Sequence, residues 1–136
     1  LARVKRPGGW IELVEAAPVP QGGPALEQLR TWMLATTRMR GLDVTIGLRI
    51  GDLLREAGLL QVVYRELPIP IGAYGGRLGT MAETQYDALF RTFGPILAAR
   101  GMADTATFDQ VMRAAHAEIA QGRFISPYYL AYGQRG

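Results

Sequence analysis

Three short runs of strand-forming residues, at 10–15, 59–67 and 124–133, alternate along the chain with longer stretches of helical periodicity. That alternation is the strongest constraint on the fold. Strands separated by helices build an α/β structure, because each crossover has to bury its apolar face against a sheet. The first run, WIELVE, is apolar with only partial alternation, which predicts a strand covered on both faces. The second, LLQVVYREL, is expected to close at Pro68 and Pro70. The third, FISPYYLAYG, sets Tyr128, Leu130 and Tyr132 against Tyr129 and Ala131.

The intervening segments read as helices with glycine stops. Residues 25–39 place Leu26, Leu29 and Met33 on one face with Trp32 beside them, and Gly41 ends the helix. A second helix is expected from 44 or 47 to 57. Asp43 would cap it, Ile46, Ile50, Leu53, Leu54 and Ala57 would face inward, and Gly58 would end it. Gly47 and Gly51 in that helix read as sites of close packing. Residues 68–79, PIPIGAYGGRLG, form a Gly-rich connection that matches neither the P-loop nor the dinucleotide fingerprint. A long helix over 80–99, kinked at Pro95, carries Tyr86, Leu89, Phe90, Phe93, Ile96 and Leu97 as a stripe. A further helix over 106–121, capped by Thr105 or Thr107, turns Phe108, Val111, Met112, Ala115 and Ile119 inward. Residues 1–6 read as a last helical turn stopped by Pro7-Gly8-Gly9. One domain then covers 1–136, with a helical crossover at 25–57 and a helical insert at 80–121.

Composition narrows the chemistry. The 136 residues include no cysteine, which removes disulfides, thiolate nucleophiles and Cys-ligated metal centres. His116, the single histidine, cannot build a histidine-cluster metal site within one chain, so no metal is expected. Ser126 is the single serine, and no nucleophile elbow surrounds it. His116 borders the stripe of Met112, Ala115 and Ile119 and reads as a surface or partly buried side chain rather than a catalytic base. The net charge is +3, and all but one of the 15 basic residues are arginines scattered among acids. No basic stripe or aromatic-basic interleaving suggests nucleic acid as a partner. No stretch reaches the roughly 18 apolar residues of a membrane span, and no secretory signal opens the chain, so a cytoplasmic location is expected. The chain starts at Leu1, which suggests a processed chain or a fragment.

The phrase RVKRPGGWIELVE resembles a marker of class I S-adenosylmethionine-dependent methyltransferases, a helix ending in leucine-lysine-proline-glycine-glycine before a strand. The Glu56-Ala57-Gly58 turn feeding LLQVVYREL resembles the family's approach to its sixth strand, and FISPYYLAYGQR its seventh, antiparallel strand. The resemblance runs over essentially the whole chain and implies a partial Rossmann-like sheet, with strands like the family's fifth, sixth and seventh and inserted helices. It implies S-adenosylmethionine as cofactor of the complete protein, with none bound by this chain alone, because the family's glycine-rich motif and its ribose-binding acid have no counterpart here. The implied function is methyl transfer to a small-molecule acceptor. The alternative is a non-catalytic small-molecule or protein-binding module derived from the same fold.

In the family's usual strand order, 3-2-1-4-5-7-6, the run at 10–15 would pair with a fourth strand. Its outer edge should then pair with a second copy or with a missing N-terminal half. By the same resemblance, substrate contacts come from strand ends and inserted helices. The candidates are Glu15, Trp32, Arg38, Arg49, Tyr74 and Tyr86. Glu15 follows an apolar strand, where ligands of open α/β sheets bind, and could orient a substrate hydroxyl or accept its proton. Trp32 could wall an aromatic substrate, Arg38 and Arg49 could bind a carboxylate, Tyr74 could act from its loop as a donor or lid, and Tyr86 could line the pocket. The residues matched to the family assign no catalytic base and no cofactor-binding position.

Overall fold

A computed structural model describes residues 6–18 and 20–136. In chain order its elements are β1 (Trp10–Ala16), α1 (Pro24–Met39), α2 (Ile50–Glu56), β2 (Leu59–Ile71), α3 (Gly76–Arg91), α4 (Gly94–Ala99), α5 (Thr105–Gln121) and β3 (Phe124–Arg135). Short 3-10 turns at Ile46–Arg49 and Ala73–Gly75 lead into α2 and α3. The helical turn expected at 1–6 lies, for residues 1–5, outside the described residues. The fold is α/β, with a three-stranded antiparallel sheet in the order β1-β3-β2. The last strand in sequence is therefore central. β1 runs antiparallel to β3, from Trp10 opposite Gln134 to Ala16 opposite Tyr128.

The chain divides into two compact units. The first comprises 6–17, Thr45–Pro68 and Pro127–Gly136. Its core joins Ile11 of β1, Ile50 and Leu54 of α2, Leu59 of β2, and Tyr129 and Ala131 of β3. Tyr64 and Tyr129 stack with ring centroids 6.3 Å apart at 11°, an arrangement worth about 0.5–1.5 kcal/mol beyond its buried area. Gly47 and Gly51 make room for that pair. A Cβ at 47 would overlap the Tyr129 ring, and one at 51 would come within 3.0 Å of the Tyr64 Cβ. The expected close packing at this glycine spacing is present, and it is intramolecular.

Several sequence expectations for this unit need correcting. β1 is not covered on both faces. Ile11 is buried and Leu13 half-buried, while Trp10, Glu12 and Val14 are exposed. Pro68 and Pro70 do not close β2, which continues to Ile71. β2 is an edge strand, and an edge has positions where a missing N–H breaks no ladder bond. The helix expected from 44 or 47 to 57 is a 3-10 turn followed by α2, and their N-cap positions are Thr45 and Arg49 rather than Asp43. The tighter 3-10 turn breaks the 3.6-residue period, and Ile46 within it is exposed, as is Ala57 at the C-cap of α2. Gly58 ends α2 as expected, at φ +78°.

The second unit comprises Pro18, 20–44 and Ile69–Ser126. Its core joins Leu26, Leu29 and Met33 of α1, Tyr86 and Phe90 of α3, Leu97 of α4, and Phe108, Met112 and Ile119 of α5. These are largely the apolar faces expected from periodicity. The long helix expected over 80–99 is two helices. α3 starts earlier, at Gly76, and stops at Arg91, and Pro95 opens α4 instead of kinking a continuous rod. Proline lacks the N–H a helix interior needs, and a first turn does not need it. The α5 cap is Asp104, whose carboxylate accepts the Thr107 N–H at 2.7 Å, rather than Thr105 or Thr107.

α1 begins at Gly-Gly-Pro and has no side-chain cap of its own. Its free amides are met from another helix. The Glu118 carboxylate of α5 accepts Ala25 N–H at 2.7 Å and Leu26 N–H at 3.0 Å. Negative charge at a helix N-terminus is favoured by the aligned peptide dipoles. Gly23 is required beside it, since a Cβ there would fall 2.6 Å from the Glu118 carboxyl carbon. Glu118→Ala should destabilise this unit by about 2 kcal/mol, and Glu118→Gln, which keeps one acceptor, by about 1 kcal/mol. Urea unfolding monitored by helical circular dichroism checks this, with a lowered midpoint and an unchanged slope as the expected result.

Candidate functional site

Along one face of α3, Glu83, Asp87 and Arg91 follow each other at helical spacing. The single histidine of the chain reaches this row from α5. His116 Nε2 lies 2.8 Å from Asp87 Oδ1, and Nδ1 lies 3.7 Å from Glu83 Oε1. The other Asp87 oxygen accepts Arg91 Nε–H at 2.9 Å. Both carboxylate oxygens of Asp87 are thus engaged by cationic or ring N–H groups. The Arg91 hydrogen bond holds the Asp87 carboxyl below the usual aspartate range. Partial burial opposes that shift, and the His116 hydrogen bond reinforces it.

Beneath the imidazole is a shallow, mostly apolar indentation lined by Tyr86, Phe90, Met112, Ala115 and Ile119. The Tyr86 hydroxyl is hydrogen-bonded to the Ser126 hydroxyl, and both side chains are buried. A second groove is lined by Arg91, Gly94, Pro95, Phe108 and Asp109. The Asp87 carboxylate fixes Nε2 of His116 as the donor and leaves Nδ1 as the nitrogen that can accept a proton. Among the described residues, no group of three His, Asp or Glu is placed to hold a metal ion. No described helix is long and apolar enough to cross a membrane.

The six sequence candidates are distributed over both units. Glu15 and Arg49 belong to the first. Glu15 is exposed near the end of β1, opposite Tyr129, and Arg49 is exposed at the end of its 3-10 turn. The other four belong to the second unit. Trp32 is buried against Phe108, with ring centroids 6.2 Å apart. Tyr86 lies in the same core, hydroxyl-bonded as described. Arg38 is exposed in the last turn of α1. Tyr74 is exposed, its hydroxyl donates to the Phe124 carbonyl, and the Arg123 guanidinium sits 5.8 Å from its ring centre. Asp87 and Glu83 were absent from the sequence candidates. Their spacing with Arg91 is visible in the sequence, but the approach of His116 from 29 residues away is not.

No protein-family model matches the chain. In an alignment of 89 positions that covers 61% of the chain, it is 35% identical to the N-methyltransferase sirN of Leptosphaeria maculans. The matched segment is 31% of that protein's length, so the chain spans about a third of the relative it matches. The similarity points to a relationship with methyltransferases.

The Asp87 shift has a consequence for stability. A carboxylate favoured in the folded state contributes fully above the ordinary aspartate range, near pH 4, and loses its contribution as pH falls through the lowered folded value. Asp87→Asn should cost about 0.5–1 kcal/mol at neutral pH. The gap between wild type and variant should close on acidification below about pH 4, as read from paired denaturation curves. A gap independent of pH would mean that the charge on Asp87 is not its source.

Proposed function

We propose that the chain is the C-terminal part of a class I S-adenosylmethionine-dependent methyltransferase domain, and that the complete protein methylates a small-molecule acceptor. The observation that carries this reading is the 35% identity to an N-methyltransferase, whose name makes nitrogen the first acceptor atom to test. The sheet supports it. The sequence resemblance implies strands five, seven and six in that spatial order with the seventh reversed, and the order β1-β3-β2 with β3 antiparallel to β1 agrees.

The Gly-rich stretch of the described residues does not fit the methyl donor. It is closed on itself, with Gly72 N–H donating to the Gly79 carbonyl and Gly75 N–H to the Gly72 carbonyl, both at 3.1 Å. A Cβ at 79 would collide with the Gly72 carbonyl oxygen. Amides turned inward in this way cannot cradle an anion. In this reading, donor binding belongs to polypeptide outside the third of the relative that the chain matches. This chain supplies the acceptor side, where the protein's work is to align the nucleophile and exclude water. Glu15 and Arg49 of the first unit, and Arg38 and Tyr74 of the second, are exposed and stay the candidates for acceptor contact, with Glu15 at the end of β1 the one that could take a hydrogen bond or proton. Buried Trp32 and Tyr86 would act by shaping the wall.

Calorimetric titration with S-adenosylmethionine tests the assignment. The full-length protein is expected to bind one equivalent and the 136-residue chain none. Binding by the chain alone would overturn the division of labour. No binding by the full-length protein would favour the non-catalytic binding module, which the self-bonded glycine stretch also suits.

The same reading gives the outer edge of β1 a partner. Trp10 and Val14 stand 47% and 53% exposed on an edge strand, an arrangement that invites pairing. The expected partner is the N-terminal part of the domain, and a second copy is the substitute when that part is missing. Light scattering of the chain, with and without the separately expressed N-terminal part, should show a heterodimer or a self-associated species. A monomer in both samples would sink the proposal.

A further inference from the structure

We infer that His116 is a proton-operated clasp between α3 and α5. The geometry distinguishes its two nitrogens. Nε2 lies 2.8 Å from Asp87, a carboxylate kept ionised by Arg91, so Nε2 must carry the hydrogen. In the neutral imidazole this leaves Nδ1 as a lone pair 3.7 Å from the Glu83 carboxylate, acceptor against acceptor. A proton on Nδ1 turns that contact into an ion pair and gives α5 a second point of attachment to α3. The charge balance runs the same way. Glu83, Asp87 and Arg91 together carry one excess negative charge, which the protonated imidazole cancels.

The surroundings leave this exchange to His116 itself. From α3 the facing groups are Glu83 and Asp87, and Arg91 acts through Asp87. On α5, Arg113 precedes the histidine by one turn and is exposed, while Glu118 is committed to the first amides of α1. Among the described residues, no charged side chain of α1 or α4 contacts the imidazole. The side chain is 41% exposed, so protons reach it from solvent without any opening of the fold. Below it lies the apolar contact of Tyr86 and Phe90 with Met112 and Ile119, which the clasp covers. Protonation of Nδ1 therefore tightens the α3–α5 seam, and its loss leaves the Asp87 attachment alone.

Hydrogen–deuterium exchange of the chain reads the seam directly. Protection factors for the α3 and α5 peptides are compared at pH 5.5 and 8.0, after correction for intrinsic exchange, in wild type, H116Q and E83Q. The ratio of wild-type to H116Q protection should be roughly two- to five-fold larger at pH 5.5 than at pH 8.0, the size expected for one partly exposed ion pair. E83Q keeps the Asp87 contact, which a protonated imidazole also strengthens, and should lose only the part of the gain that Nδ1 and Glu83 supply. Should H116Q fail to fold, the comparison of E83Q with wild type decides alone. Equal ratios at the two pH values, or a full gain retained in E83Q, would overturn the clasp.

Discussion

The helical unit depends on a carboxylate that its neighbour in space, not in sequence, provides. α1 opens on Gly-Gly-Pro, which starts a helix but caps none of its amides. Uncapped amides at the edge of a packed core are costly where neither water nor a side chain reaches them. Glu118 meets two of them, and a glycine at 23 clears the space its carboxylate occupies. The same contact aligns α1 with α5, so that Leu26, Leu29 and Trp32 meet Phe108, Met112 and Ile119 in one core. The Glu118 contact thus joins two of the helices whose apolar faces build this core.

The sheet unit rests on a different device. Its central strand is the last in sequence, and a tyrosine from that strand stacks on a tyrosine from β2 over two glycines. Any side chain at Gly47 would displace the ring of Tyr129, so the approach of the turn before α2 to the sheet is built on the absence of a Cβ. The two outer strands differ in character. β2 carries prolines, which blunt an edge, whereas β1 presents Trp10 and Val14. That asymmetry gives the β1 edge its place in the functional reading.

Helix periodicity was readable where it was local. The helix expected at 25–39 is α1 at Pro24–Met39, that at 106–121 is α5 at Thr105–Gln121, and the third strand is where alternation put it. The readings that failed depended on neighbours. Whether Pro68 ends a strand depends on whether that strand has a partner on each side, and sheet order is not written in the run itself. The functional side was less legible. His116 looked like an ordinary side chain at the border of an apolar stripe, because its carboxylates sit on a helix 29 to 33 residues earlier. The buried settings of Trp32 and Tyr86 likewise depend on helices that the local pattern could not pair.

By itself, the sequence determined the alternation of strands and helices, the apolar faces of α1 and α5, the glycine stops, and the absence of any thiol chemistry. These follow from residue type and spacing within a few turns of chain. Only the tertiary structure decided that the last strand is central, that Glu118 caps a helix 92 residues away, and that one imidazole lies between two carboxylates. Those features are contacts between distant residues, and a one-dimensional pattern carries the propensity to make contacts but not the choice of partner.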